Sequence, residues 1–107
     1  MRLPPPYLIT ESKLTGYLLK FRDQDDKSNY LGQAGYTLDN WELLLADLLR
    51  LVETNDAVLD KPSVYGQSYQ VIGELTGPTG RKLSVKTIWM LDIDEEKTKF
   101  ITLYPNK

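Results

Sequence analysis

The apolar positions change their period once along the chain, between Asn55 and Ala57. Before that point they recur at helical spacing. Leu14, Tyr17, Leu18 and Phe21 predict a first helix, capped by Thr10 or Ser12 and weakened by Gly16. A polar loop from Arg22 to Asp26 follows, then a short second helix from about Lys27 to Ala34, with Gly35 placed to end it in a left-handed conformation. The third helix is the clearest. Thr37 can cap it, Asp39 and Glu42 suit the positive end of its dipole, and Asn55 is a stop. Leu38, Trp41, Leu44, Leu45, Leu48, Leu51 and Val52 form a broad apolar face, from which Trp41, Leu45, Leu48 and Val52 are expected to meet the sheet.

After Asn55 the period is two. Strands are predicted over Ala57 to Val64, Ser68 to Thr76, Arg81 to Leu91 and Lys99 to Tyr104, with turns at Tyr65-Gly66-Gln67, Gly77-Pro78-Thr79-Gly80 and the acidic run 92–97. On the third of these, Leu83, Val85, Thr87, Trp89 and Leu91 share one face, while Lys82, Ser84, Lys86, Ile88 and Met90 share the other. The proline-rich segment Leu3 to Leu8 reads as extended, outside the sheet. The expected fold is a single α+β domain over residues 1–107, with about three N-terminal helices packed on a four-stranded antiparallel β-meander.

Composition narrows the chemistry. The chain has 107 residues, 41% apolar and 26% charged, which suits one folded domain. It has no cysteine and no histidine, so disulfides, thiolate metal sites and any Ser-His-Asp arrangement are excluded. A catalytic site would have to use Lys, Arg, Tyr, Thr, Asp or Glu. No cofactor and no metal is expected. Residues 92–96 lack the ligand spacing and glycine of a calcium loop and read as a solvated turn. The sequence lacks an apolar run long enough for a bilayer and an N-terminal secretory pattern, so a cytoplasmic protein without membrane contact is expected. The net charge of −2 is unevenly spread: residues 1–56 hold nine acids against six bases, and residues 57–107 six against seven. That is not the footprint of a duplex-DNA binder.

Several residues carry candidate chemistry. Lys82 and Lys86 lie four apart on one strand face, about 13–14 Å along the strand, a spacing that suits phosphates of a single strand as well as it suits solubilising charges. With Tyr69 and Tyr104 they form a basic and aromatic set of the kind single-stranded RNA sites use. Thr87 sits among core residues and Thr102 between Ile101 and Leu103, where a hydroxyl needs a partner. Gly77-Pro78-Thr79-Gly80 lacks the Gly-Lys-Ser/Thr ending of a phosphate loop and reads as a hairpin turn.

From about Lys13 to Pro105 the chain resembles an uncharacterised bacterial domain family of unknown function. The matching stretches are Lys13-Leu14-Thr15-Gly16-Tyr17-Leu18-Leu19, Lys27-Ser28-Asn29-Tyr30-Leu31, Gly35-Tyr36-Thr37, Tyr65-Gly66-Gln67-Ser68-Tyr69-Gln70-Val71, Gly77-Pro78-Thr79-Gly80-Arg81, Lys86-Thr87-Ile88-Trp89 and Thr102-Leu103-Tyr104-Pro105. The resemblance implies single-domain proteins, members of gene pairs with a small partner, and terminal modules of toxin-like proteins. It further suggests similarity to the barnase–EndoU–colicin–RelE group of ribonucleases. Where relatives carry a basic stretch, this chain has Asp25-Asp26-Lys27-Ser28-Asn29-Tyr30-Leu31, so Lys27 alone keeps a positive charge there and the acids would repel phosphate: either Lys27 is the residue that matters or this member has lost nucleic-acid binding.

The reading that follows is a metal-independent endoribonuclease of toxin type, standing alone or as the toxin half of a toxin–antitoxin pair. Lys27 or Tyr69 would move protons, Arg81, Lys82 and Lys86 would meet phosphate, and Thr87, Thr102 and Tyr104 would orient it. The alternative is a non-catalytic protein-binding module; small-molecule binding between helices and sheet is a third reading. A cognate small protein, a second copy of the chain and RNA are the expected partners. Lys86 and Thr87 point to opposite faces, so both can serve one site only at an edge, a bulge or a strongly twisted end.

Overall fold

The structure, a computed structural model, describes residues 1–20, 27–63, 66–92, 94 and 96–106. Phe21 of the first predicted helix, the loop with Asp25 and Asp26, the turn at Tyr65, and Ile93 and Glu95 of the acidic run lie outside the described residues.

The four predicted strands are present as β2 (Ala57–Ser63), β3 (Gly66–Thr76), β4 (Lys82–Asp92) and β5 (Lys97–Pro105), joined as an antiparallel meander. Among the described residues the sheet gains a fifth strand, β1 (Tyr7–Leu8), and is mixed, in the order β1-β5-β4-β3-β2. β1 runs parallel to β5, pairing Tyr7 with Thr98 and Leu8 with Lys99. This corrects the four-stranded, all-antiparallel expectation. Proline removes an N–H but keeps its carbonyl: Pro6 O accepts from Thr98 N–H at 3.0 Å, and Pro4 O accepts from the Thr98 hydroxyl at 2.6 Å. The proline-rich segment therefore belongs to the sheet margin, and Leu3 is a core residue.

The helical half is also corrected. Among the described residues only α3 (Trp41–Thr54) is a full helix, led in by a 3₁₀ turn at Leu38–Asn40. Thr37 and Asn40 close a reciprocal cap there, with Thr37 N–H donating to Asn40 Oδ1 at 2.7 Å. The first predicted helix is one α-turn, α1 (Glu11–Lys13), which widens into a π turn at Leu14–Leu18, where Leu19 N–H reaches back to Leu14 O at 2.8 Å. The second, α2 (Ser28–Gly32), is five residues long. Gly16 lies inside the π turn and Gly32 ends α2, and such short turns stand only by tertiary packing. No helix among the described residues is long and apolar enough to cross a membrane.

The core lies between α3, the short turns and one face of the sheet. Leu44, Leu48, Leu51 and Val52 of α3 are buried, whereas Trp41 and Leu45 sit half-buried at the margin, so the helix is rotated slightly from the expected face. They meet Val71 and Leu75 of β3, Leu83, Val85 and Trp89 of β4, and Phe100 and Leu103 of β5. Trp89 makes edge contacts with Phe100 at 5.2 Å and Tyr7 at 6.3 Å between ring centres. Tyr36 is buried and donates to Asp47 at 2.5 Å; burial and that carboxylate push its ionisation well above the ordinary tyrosine range.

Candidate functional site: a buried lysine at the margin of the sheet

Lys27 immediately precedes α2, and α2 is held rigidly against the β3–β4 hairpin. Gly77 permits the approach: a Cβ there would lie 2.0 Å from Ala34 O, so only glycine fits. Thr79 N–H donates to the same Ala34 carbonyl at 3.1 Å. Gly35, at φ +97°, makes the left-handed turn that brings the chain off α2. At the other end of α2, Tyr30 OH donates to Ser84 O of β4 at 2.9 Å. The Gly77-Pro78-Thr79-Gly80 turn is thus a hairpin whose work is to seat the element that carries Lys27.

The Lys27 side chain is only 9% exposed. Its ammonium donates to Tyr17 OH at 2.7 Å and lies 4.8 Å from the Tyr17 ring centre and 4.9 Å from that of Tyr104. Among the described residues no carboxylate pairs with it, whereas Arg2, Arg50 and Lys99 all have ion pairs. Two aromatic faces and a phenol oxygen replace part of its hydration. A buried cation so placed leaves capacity for an anion.

Thr102 joins this group through a bulge. The β4–β5 register runs Trp89↔Phe100 and then Ile88↔Thr102, which leaves Ile101 as the extra residue. The bulge turns Thr102 to the outer face of the sheet at the β5 margin, where Tyr17 covers it and their hydroxyls stand 3.4 Å apart. The next outer-face row aligns Ile72, Lys86 and Tyr104 across three strands. Lys27, Thr102 and Tyr104 therefore converge, with Lys86 in the register position beside Tyr104. A shallow cavity of about 310 Å³ adjoins them, lined by Ser12, Lys13, Tyr17, Ile101 and Thr102.

The other candidates lie elsewhere. Thr87 is fully buried on the core face; its hydroxyl donates to Val71 O at 2.7 Å and accepts from Trp89 Nε1 at 2.7 Å. Tyr69 pairs with Trp89 on that same face and donates to Gln67 Oε1 at 2.8 Å. Arg81 and Lys82 are exposed near the hairpin tip. Tyr17 was missed because its helical spacing marked it as core. The available signals were Gly16 beside it and its phenol, since a tyrosine brought against a sheet needs a partner for its hydroxyl.

Comparisons with known proteins agree with this architecture. No curated protein matches the chain. A chain of a contact-dependent growth inhibition toxin–immunity protein complex from Klebsiella pneumoniae 342 shares the fold with a TM-score of 0.70 at 19% identity, over 92% of this chain and 98% of that one. A family described as a domain of unknown function matches residues 6–107, nearly the whole length, and the chain accordingly belongs to the DUF6883 family.

Proposed function

We propose that this protein is a toxin-type endoribonuclease that needs no metal ion and works alongside a small protein partner. The observation that carries the reading is the buried ammonium of Lys27, held between two tyrosines without a described counter-ion and next to a threonine hydroxyl. RNA cleavage by the neighbouring 2′-hydroxyl requires three things: removal of that proton, stabilisation of the charge that grows on the phosphorus oxygens, and protonation of the departing 5′-oxygen. Lys27 is suited to the second, with Lys86 as a further cation on the adjacent row. Thr102 and Tyr104 would orient the phosphate. The Tyr17 hydroxyl, which accepts from the Lys27 ammonium, would act as a relay, giving its proton to the departing 5′-oxygen as it takes the 2′-proton, so that it ends as it began. Arg81 and Lys82 would meet phosphates farther along the strand. Thr87 and Tyr69 would support the site from behind through β3 and β4.

The partner half of the reading is supported by the fold likeness to a chain from a two-protein complex and by exposed apolar side chains at the β2 side of the sheet, Val58, Leu59 and Ile72. The same two observations favour the second reading, a non-catalytic binding half of such a pair.

The test is cleavage of a mixed RNA pool, in EDTA, by protein stripped of any partner under denaturing conditions and refolded. Wild type is expected to release fragments ending in 2′,3′-cyclic phosphate. Lys86→Ala and Tyr104→Leu should reduce the rate, and Lys27→Met should nearly abolish it. A refolded wild type that cuts no RNA, yet binds a co-expressed neighbour in light scattering, would replace the nuclease with the binding half.

A further inference from the structure

We infer that the cavity between α1 and β5 is a second nucleotide subsite, in which Lys13 contacts the phosphate next to the one held at Lys27. This rests on the ribonuclease reading of the Lys27 centre. The cavity shares two walls with that centre, Tyr17 and Thr102, so the two are contiguous.

The lining suits one nucleotide unit. Lys13 supplies a cation, and Ser12, Tyr17 and Thr102 supply hydroxyls for phosphate or ribose oxygens. Ile101, pushed outward as the bulge residue, offers an apolar wall for a base or sugar. Among the described residues no acid lines the cavity and no carboxylate pairs with Lys13. Its volume, about 310 Å³, lies at the small end of the range of about 300–1,000 Å³ typical of ligand pockets, which fits a single nucleotide. The substrate is thus single-stranded RNA laid over the margin of β5, with Tyr104 and Lys86 on one side of the reacting phosphate and Lys13 on the other. A duplex could not follow that path over a sheet margin while placing one unit in the shallow cavity.

The bulge explains why this corner exists. Among the described residues, β1 pairs with β5 only at Thr98 and Lys99. Beyond that the margin is left to α1 and the π turn, whose widened backbone carries Tyr17. Bulges and π turns both re-aim side chains, and here one of each faces the other across the cavity.

Binding of fluorescent 2′-O-methyl oligonucleotides, which cannot be cleaved through the 2′-oxygen, separates this subsite from the activity. For a hexanucleotide, Lys13→Ala is expected to raise Kd roughly threefold to fivefold, the worth of one partly exposed charge contact. The slope of log Kd against log salt should fall by about 0.7. Lys13→Arg should retain wild-type values. For a dinucleotide, which fills only the Lys27 centre, Lys13→Ala should change nothing. Equal losses for both lengths, or none for either, would overturn the subsite, as would a hexaglutamate peptide binding as tightly and with the same Lys13 dependence. Binding that follows this pattern in a wild type without cleavage would retain the subsite and remove the nuclease reading. Cleavage without any Lys13 effect on binding would do the reverse.

Discussion

Thr87 and Thr102 lie on adjacent strands, both are almost entirely buried, and both interrupt a run of apolar residues. Their surroundings differ completely. Thr87 faces α3, and its hydroxyl closes a chain from the Trp89 indole to the Val71 carbonyl with two bonds of 2.7 Å. Thr102 faces the margin, and its one described side-chain contact, 3.4 Å to Tyr17, is long. The first satisfies the polar needs of a tightly packed core. The second sits beside a cation that has no carboxylate partner among the described residues, and beside an open cavity. A buried threonine marks structure where its bonds are short and complete, and a site where they are loose and adjoin charge.

The largest effect should fall on the core side. Leu48 is fully buried beneath the sheet, and Leu48→Ala should cost about 2–5 kcal/mol in denaturant unfolding. A loss below half a kcal/mol would show that α3 is not the element holding Thr87's face together.

On the margin side, Lys27→Met should lower the cleavage rate about 10²- to 10³-fold, as loss of a preorganised charge donor does. Its stability should be equal to or above wild type, because an apolar chain of similar length replaces a cation that lacks a described counter-ion. A parallel fall in stability would mean that the ammonium holds Tyr17 and Tyr104 in place, and that the margin is as structural as the core.

The two regions were not equally readable from sequence. The four strands of the meander and the faces of β4 follow from strict alternation, a local signal that packing reinforces. The alternation of Leu83, Val85, Thr87 and Trp89 placed Thr87 correctly toward the helices. The margin depends on events that break alternation. The bulge at Ile101 reverses the side on which Thr102 emerges, and nothing in Ile101-Thr102-Leu103 announces it. The parallel pairing of Tyr7 and Leu8 depends on proline carbonyls, which leave no periodic trace. The π turn carrying Tyr17 reads as a plain helix. Lys27, Thr102 and Tyr104 were found by residue type, but their meeting point required the three-dimensional detour through Gly77 and Ala34.

Thr87→Val keeps the shape and removes the hydroxyl. It leaves the Trp89 N–H and the Val71 carbonyl lone pair without their partner in a dry core, a cost of about 1–3 kcal/mol. Cleavage by the fraction that stays folded should match wild type. A stable variant with reduced activity would instead give Thr87 a part in the reaction.

Thr102→Val is the smallest change and the sharpest test of the contrast. The substitution is the same and the strand is adjacent, so differences in β propensity cancel. The hydroxyl lost here holds only a long contact, and the Tyr17 oxygen keeps its bond to Lys27, so no buried group is left unpaired. Stability should therefore change by less than about 0.5 kcal/mol. Cleavage should fall by roughly threefold to tenfold, the worth of about one hydrogen bond to the phosphate. Measured together, the two valine variants should separate cleanly: one loses stability and keeps its rate, the other keeps stability and loses rate. If both lose stability alone, the loose geometry at Thr102 is only an imperfect version of the Thr87 arrangement, and Lys27 stands without its neighbour.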